Sequence, residues 1–224
     1  MVPVAMKTIT ARLSNREFTA AEVGAMLCLK PVEVSNLISE IAPLGVADAG
    51  RGKRTVQYRG LFAMLVAKEL IHCQLPSRMR AQTLRVALKV TGNRVSVPRT
   101  NLQVIVESYR KQVNQGLRSL YEAEVSIEKN RAIMQGEPCI KGTRIPAYVV
   151  AAIASAHGLD EALATYPSLK KHQVELARVW AAAHPRRGRP KKTVIPTQGK
   201  VVSKKIIHRK NRGTGGPASS VPDR

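Results

Sequence analysis

The sequence predicts a mainly α-helical protein: a helix-turn-helix with a β-hairpin wing, a connector with a long helix, a short β-hairpin plus three helices, and a disordered basic tail. Three observations predict it. Apolar residues recur at helical spacing, as in Val34, Leu37, Ile38 and Ile41. Short β-prone runs stand beside glycines, at 45–58 and 131–141. From Pro185 apolar residues thin out while Lys, Arg, Gly and Pro dominate, a composition that buries too little surface to offset the entropy of ordering. The 224 residues therefore divide into a first domain at 16–90, a connector at 91–125, a second domain at 126–184 and a tail at 185–224.

Each element has a local cause. Thr19 can cap a first helix, with Glu22 three residues on to close a capping box and Phe18 ahead of it as a staple. Pro31 suits the first turn of a second helix, which Pro43 and Gly45 end. Gly45-Val46-Ala47 and Thr55–Tyr58 read as strands around the basic turn Arg51-Gly52-Lys53-Arg54. A third helix is predicted from Leu61 to about Cys73, and a fourth from Ser77 to about Val90. The cluster Gly92, Asn93, Pro98 and Asn101 predicts a break. A long helix is then predicted from Leu102 to Glu124, striped by Ile105, Tyr109, Val113, Leu117 and Leu120, as a connector or a dimer helix. Val125–Ile127 reads as a short strand. Arg131–Met134 and Pro138–Lys141 read as two strands around Gly136. Pro146 opens a helix that Gly158 closes; a shorter one starts at Leu159, and Ser168 can cap the last, with Val174, Leu176, Ala177 and Trp180 buried.

The net charge is +22, which favours a polyanionic partner. It is unevenly spread: 12 Lys and Arg face one acid from Pro185 onward, whereas 11 face 8 over residues 96–184. The middle is thus predicted to be a folded interaction unit between adhesive ends. Three isolated cysteines and five scattered histidines offer no disulfide framework and no metal-ligand spacing. No Ser/His/Asp order, phosphate-binding glycine loop or paired-carboxylate site stands out, so no enzyme, cofactor or metal is expected. No basic-then-apolar leader opens the chain and no apolar run approaches ~18 residues. A cytoplasmic protein that neither crosses nor enters a membrane is expected.

The order helix, helix, basic hairpin, helix, helix resembles the winged helix-turn-helix domain of MerR-type regulators over about seventy residues of pattern. The resemblance implies that the second helix enters the major groove and the wing touches phosphate. The candidate DNA contacts are Lys30, Ser35, Asn36 and Ser39 on or beside that helix, and Arg51, Lys53, Arg54 and Arg59 on or beside the wing. The helix also carries Glu33 and Glu40 and no Arg, where that family usually places a basic residue.

Residues 136–146 read Gly-Glu-Pro-Cys-Ile-Lys-Gly-Thr-Arg-Ile-Pro. Gly136, Pro138, Gly142, Thr143, Arg144 and Pro146 form a turn that feeds a helix, with Gly142 suited to positive φ. Followed by Tyr166-Pro167-Ser168-Leu169 and the Ala-rich helix ending at His184, this segment resembles the antitoxin domain of VapB-type proteins over about sixty residues. That family often has Pro where this chain has Arg131. The resemblance implies a homeodomain-like domain and a PIN-like ribonuclease toxin as partner, in a homodimer or higher toxin–antitoxin oligomer.

The tail holds Arg187-Gly188-Arg189-Pro190, which resembles an AT-hook. Gly188 lets an extended backbone lie deep in a narrow minor groove, while Arg187 and Arg189 reach its negative potential; a plain basic linker would only neutralise phosphate. Further on, Val201–Ile207 is apolar enough to fold onto a partner. Lys204, Lys205, Arg209, Lys210 and Arg212 are the cations available for the carboxylate-rich metal pocket that the resemblance implies in the toxin. The expectation is an antitoxin that neutralises its toxin and autorepresses its operator. Its rivals are a MerR-like transcriptional regulator without a toxin partner and an architectural DNA-coating protein.

Overall fold

The computed structural model describes residues 16–50 and 54–186, which form a mainly helical protein with three small antiparallel sheets. Strand β1 (Glu17–Thr19) leads directly into helix α1 (Ala20–Leu27). The capping box expected there is formed: Glu22 N–H donates to Thr19 Oγ1 at 3.3 Å and Thr19 N–H donates to Glu22 Oε2 at 2.7 Å. Cys28 ends α1 in the left-handed conformation at φ 54°, and Leu29 N–H closes onto Gly24 O at 3.0 Å. After this tight turn, α2 (Pro31–Ile41) starts on its proline and buries Val34, Leu37, Ile38 and Ile41, the stripe read from the sequence. A 3₁₀ turn at Ala42–Leu44 and Gly45 at φ 72° end it.

Strands β2 (Ala47–Asp48) and β3 (Thr55–Gln57) pair as the expected hairpin, and β1 adds to the other edge of β3. That third strand is not apparent from the sequence, because three residues are too few to show an alternation. Its Phe18 lies opposite Val56 and both are fully buried. Helix α3 (Tyr58–His72) starts three residues earlier than predicted. Tyr58 and Arg59 are helical, and Gly60 meets the sheet so closely that a Cβ there would lie 2.5 Å from Val46 O. Helix α4 (Ser77–Ala87) follows, capped by Leu88.

The predicted break at 91–101 and the start of the long helix are both corrected. Strands β4 (Arg94–Ser96) and β5 (Gln103–Ile105) form a hairpin, with Val95 opposite Val104. Val95, Val97 and Val106 are buried while Ile105 is exposed, the period-2 alternation of a strand. Three successive β-branched residues, 104–106, favour that extended form over a helix. Helix α5 then spans Glu107–Ser126. It buries Val113, Gly116, Leu117, Leu120 and Ala123 within the protomer, where it packs against α1, α3 and the C-terminal helix at Lys171–Ala183. Val113, Leu117 and Leu120 of the predicted stripe therefore serve internal packing, while Ile105 precedes the helix and stays exposed.

Strand β6 (Ile127–Glu128) pairs with β7 (Cys139–Ile140). The segment Arg131–Met134, expected to be a strand, is instead a turn leading into a 3₁₀ element at Met134–Gly136. Met134, inside the predicted strand, has φ 47°, and Gln135 follows at φ 57°, outside the extended region that strand residues occupy. Three helices complete the fold: α6 (Ala147–Ala156), α7 (Leu159–Thr165) and α8 (Lys171–Ala183). Pro146 caps α6 and Gly158, at φ 96°, separates α6 from α7, as expected. Ser168 does not cap α8. Leu169 is buried in the turn, so the helix begins later, with Lys170 N–H bonded to Gln173 Oε1 at 2.9 Å.

Helix α8 packs on α6, α5 and α1, so the two halves meet along one helical seam. Ala183 joins the apolar core of the first half, which runs from Phe18 to Leu120. Beside it Arg16 ties two helices together. Its guanidinium donates to Glu22 Oε1 at 2.5 Å in α1 and to both carboxylate oxygens of Glu124, at 2.8 and 3.1 Å, in α5. These bonds hold the Arg16 proton above its usual range, the bond to Glu124 foremost. No helix among the described residues is long and apolar enough to cross a membrane.

Candidate nucleic-acid interface

Helix α2 turns one face to solvent. Val32, Ser35, Asn36 and Ser39 fall at i, i+3, i+4 and i+7, opposite the buried stripe. Val32, Asn36 and Ser39 are exposed and Ser35 is half-buried; Val32 keeps 71% of its surface open, unusual for so large an apolar side chain. Ser39 Oγ donates to Ser35 O at 3.1 Å, so its hydroxyl rests on the helix backbone. Lys30 stands exposed at the N-terminal end of this face. From the hairpin, the Arg54 guanidinium donates to Ser35 Oγ and sets a cation against the face's flank. Arg59 is exposed at the start of α3.

Glu33 and Glu40 lie off the open face, roughly 90° around the helix from Val32 at 100° per residue. Both are paired from behind. Glu33 accepts Lys30 N–H at 2.9 Å and Lys68 Nζ of α3 at 3.3 Å, and these bonds hold its carboxyl below the usual range, the backbone bond first. Glu40 accepts two bonds from Arg80 of α4, Nε at 2.8 Å and Nη2 at 3.1 Å. The fork raises the Arg80 pKa. The two acids that crowd this helix in sequence are therefore neutralised by α3 and α4.

The glycine-rich turn at 136–146 closes on itself. Thr143 Oγ1 donates to Ile140 O at 2.7 Å and accepts Ile145 N–H at 3.1 Å. Ala147 N–H bonds Pro138 O at 2.9 Å, and Cys139 bridges to Pro146. Gly142 takes φ 75°. Thr143, Pro138 and Pro146 thus spend their chemistry on the turn, whereas Arg144 points outward. Burial pushes the Cys139 thiol up, which makes it an unreactive core group. The basic tail leaves from beside this turn: Arg186 pairs with Glu137 and lies 4.3 Å over the Tyr148 ring. Tyr148 in turn donates to His184 O at 2.6 Å.

Arg51 and Lys53, the hook residues Arg187, Gly188, Arg189 and Pro190, and the tail cations Lys204, Lys205, Arg209, Lys210 and Arg212 lie outside the described residues. Of the remaining candidates, Lys30, Ser35, Asn36, Ser39 and Arg54 converge on one surface. Glu22, Glu124 and His184 bring three possible metal ligands within 4.8 Å of one another. Arg16 already bonds to both carboxylates, so the group is an internal ion-pair network. Sequence reasoning missed that network, since Arg16 and Glu124 are 108 positions apart.

Residues 127–181 match the family model described as "Protein of unknown function (DUF433)". The chain is also 29% identical over 115 residues to "Uncharacterized protein y4eO" of Sinorhizobium fredii (strain NBRC 101917 / NGR234), a match covering 50% of this chain and 52% of that protein. The chain thus spans about half the length of the curated relative it matches. No solved structure matches it.

Proposed function

We propose that this chain is the antitoxin of a type II toxin–antitoxin module, one that binds its own operator DNA and neutralises a PIN-like ribonuclease. In this reading α1, α2 and the β2–β3 hairpin are a winged helix-turn-helix, and the three C-terminal helices are a homeodomain-like unit. The observation that carries it is the open face of α2: neutral, polar and one helix wide, bordered by Lys30 and Arg54, with both acids paired from behind. Asn36 can bond an adenine edge in the major groove and Val32 can meet a thymine methyl. Lys30, Arg54 and Arg59 supply phosphate contacts that set register. The toxin half of the proposal draws its support from the turn at 136–146 and its resemblance to VapB-type antitoxins.

Every candidate DNA contact among the described residues lies between residues 30 and 59, upstream of that turn, so a regulator without a toxin partner would use the same surface. Two measurements separate the readings. A gel shift on the chain's own promoter is expected to beat random DNA, and Asn36→Ala is expected to relax specificity at one base pair, by about 1–3 kcal/mol. Equal affinity for both duplexes would leave only an architectural coat. Co-expression is expected to silence the neighbouring gene's ribonuclease. Specific promoter binding with a fully toxic neighbour would leave the regulator.

A further inference from the structure

The C-terminal end of α4 and the first turns of α5 close over the first turns of α3, leaving a cavity of about 300 Å³. That is the low end of the size range for small-molecule sites. Its floor is apolar and aromatic, with Tyr58, Phe62 and Val113. Its polar wall is cationic, with Arg59, Lys89 and Arg110. Among the described residues none of these three cations is paired with a carboxylate. Three cations converging on one concave space without an acid repel one another unless an anion joins them.

Arg110 is held in place rather than swinging freely. Its Nη2 donates to Val90 O at 2.6 Å, and its guanidinium lies 4.9 Å over the Phe62 ring. Its Nε is buried and has no acceptor. A buried N–H without a partner is uncommon in a folded protein, and it leaves this guanidinium incompletely neutralised by the chain itself. A fixed guanidinium fork suits a carboxylate, and the aromatic floor beside it suits a flat apolar body.

We propose that this cavity is a binding site for a small aromatic carboxylate, its anion on Arg110 and Lys89 and its ring on Phe62. The site lies outside both the α2 face and the turn at 136–146, sharing only Arg59 with the proposed phosphate contacts, and it stands whether or not the chain is an antitoxin.

Isothermal titration calorimetry of the full chain with 2-naphthoate tests it, at constant ionic strength. One saturable site per chain is expected. The neutral 2-naphthylmethanol and inorganic phosphate are each expected to bind at least about tenfold more weakly, since each lacks half of the recognition. Arg110→Gln and Lys89→Gln are each expected to weaken 2-naphthoate by about fivefold or more. Arg118→Gln, which removes an exposed cation elsewhere on α5, is expected to leave it unchanged. Lys89 is exposed, so its variant keeps the test decisive even where Arg110→Gln loses the fold. Absence of saturable binding at millimolar 2-naphthoate would overturn the proposal. So would equal affinity for phosphate, or equal loss in the Arg118 and Lys89 variants, which would mean general attraction to a chain of charge +22.

Discussion

Glu33 and Glu40 show how a residue's chemistry depends on partners that sequence does not name. In the linear text they are two acids on the helix that we propose meets DNA. In space Lys68, 35 positions away, and Arg80, 40 positions away, cancel them. The hydroxyl and amide groups at Ser35, Asn36 and Ser39 were legible, because the 3.6-residue period alone separates them from the buried stripe. The ion pairs were not legible, because nothing local links their members. Glu33→Gln and Glu40→Gln are each expected to tighten binding to the chain's promoter. Gln keeps the acceptor for Lys30 N–H while freeing Lys68, and Arg80 stays anchored by Leu75 O at 2.8 Å once Glu40 is neutral. If each freed cation takes a phosphate, the dependence of log K on log salt steepens by about one unit per variant. Unchanged affinity and slope, measured by fluorescence anisotropy across a salt series, would place this flank of α2 away from DNA.

At the scale of elements, capping and glycine signals were the reliable ones. The Thr19–Glu22 box, the Pro31 start and the Gly158 break all lie within four residues of their cause. The strands β1, β4 and β5 were not legible, whereas β2 and β3, equally short, were marked by the basic glycine turn between them. The alternation Arg94-Val95-Ser96-Val97 against Gln103-Val104-Ile105-Val106 was present in the text, but the surrounding Gly, Asn and Pro masked it as a loop. Nor did sequence mark Gly116 as special. A glycine inside a helix costs stability relative to alanine unless something needs the space. Here α1 crosses α5 at that point, and a Cβ on Gly116 would lie 2.3 Å from Met26 O. Gly116→Ala is therefore expected to destabilise the fold by about 1–3 kcal/mol, against the helix propensity that favours alanine. Gln115→Ala, one position away on the exposed side, is expected to stay within about 0.5 kcal/mol of the parent. Urea unfolding of the two variants compares them; a Gly116→Ala protein as stable as its parent would mean that α1 and α5 are not closely crossed.

Across the whole molecule, composition anticipated two folded halves, and the packing joins them. The residues matching the family model, 127–181, enclose their own apolar set of Ile140, Val150, Ile153, Val174 and Trp180. The first half has a separate core from Phe18 to Leu120. Between them α8 lies against both α1 and α5, Ala183 enters the first core, and Arg16 ties α1 to α5 beside His184. Sequence could propose the two cores from their periodicities, but the seam depends on contacts between helices far apart in the chain, α8 against α5 and against α1. Such a seam has a thermodynamic consequence. Unfolding either half would strip apolar surface from the other, so the halves are expected to unfold together. The chain offers a clean reporter, because Trp180 is its single tryptophan and sits in the second core, 5.2 Å from Tyr148. Thermal denaturation followed by Trp180 fluorescence should therefore coincide with the loss of helical circular dichroism, most of which comes from both halves. The calorimetric enthalpy should equal the van't Hoff enthalpy. If the fluorescence of Trp180 instead changes several degrees before or after the main loss of helix, the seam is weak and the two halves are independent domains. In that case Arg16→Ala, whose partners Glu22 and Glu124 both lie in the first half, would lower that half's transition alone, whereas in a joined molecule it lowers the single one.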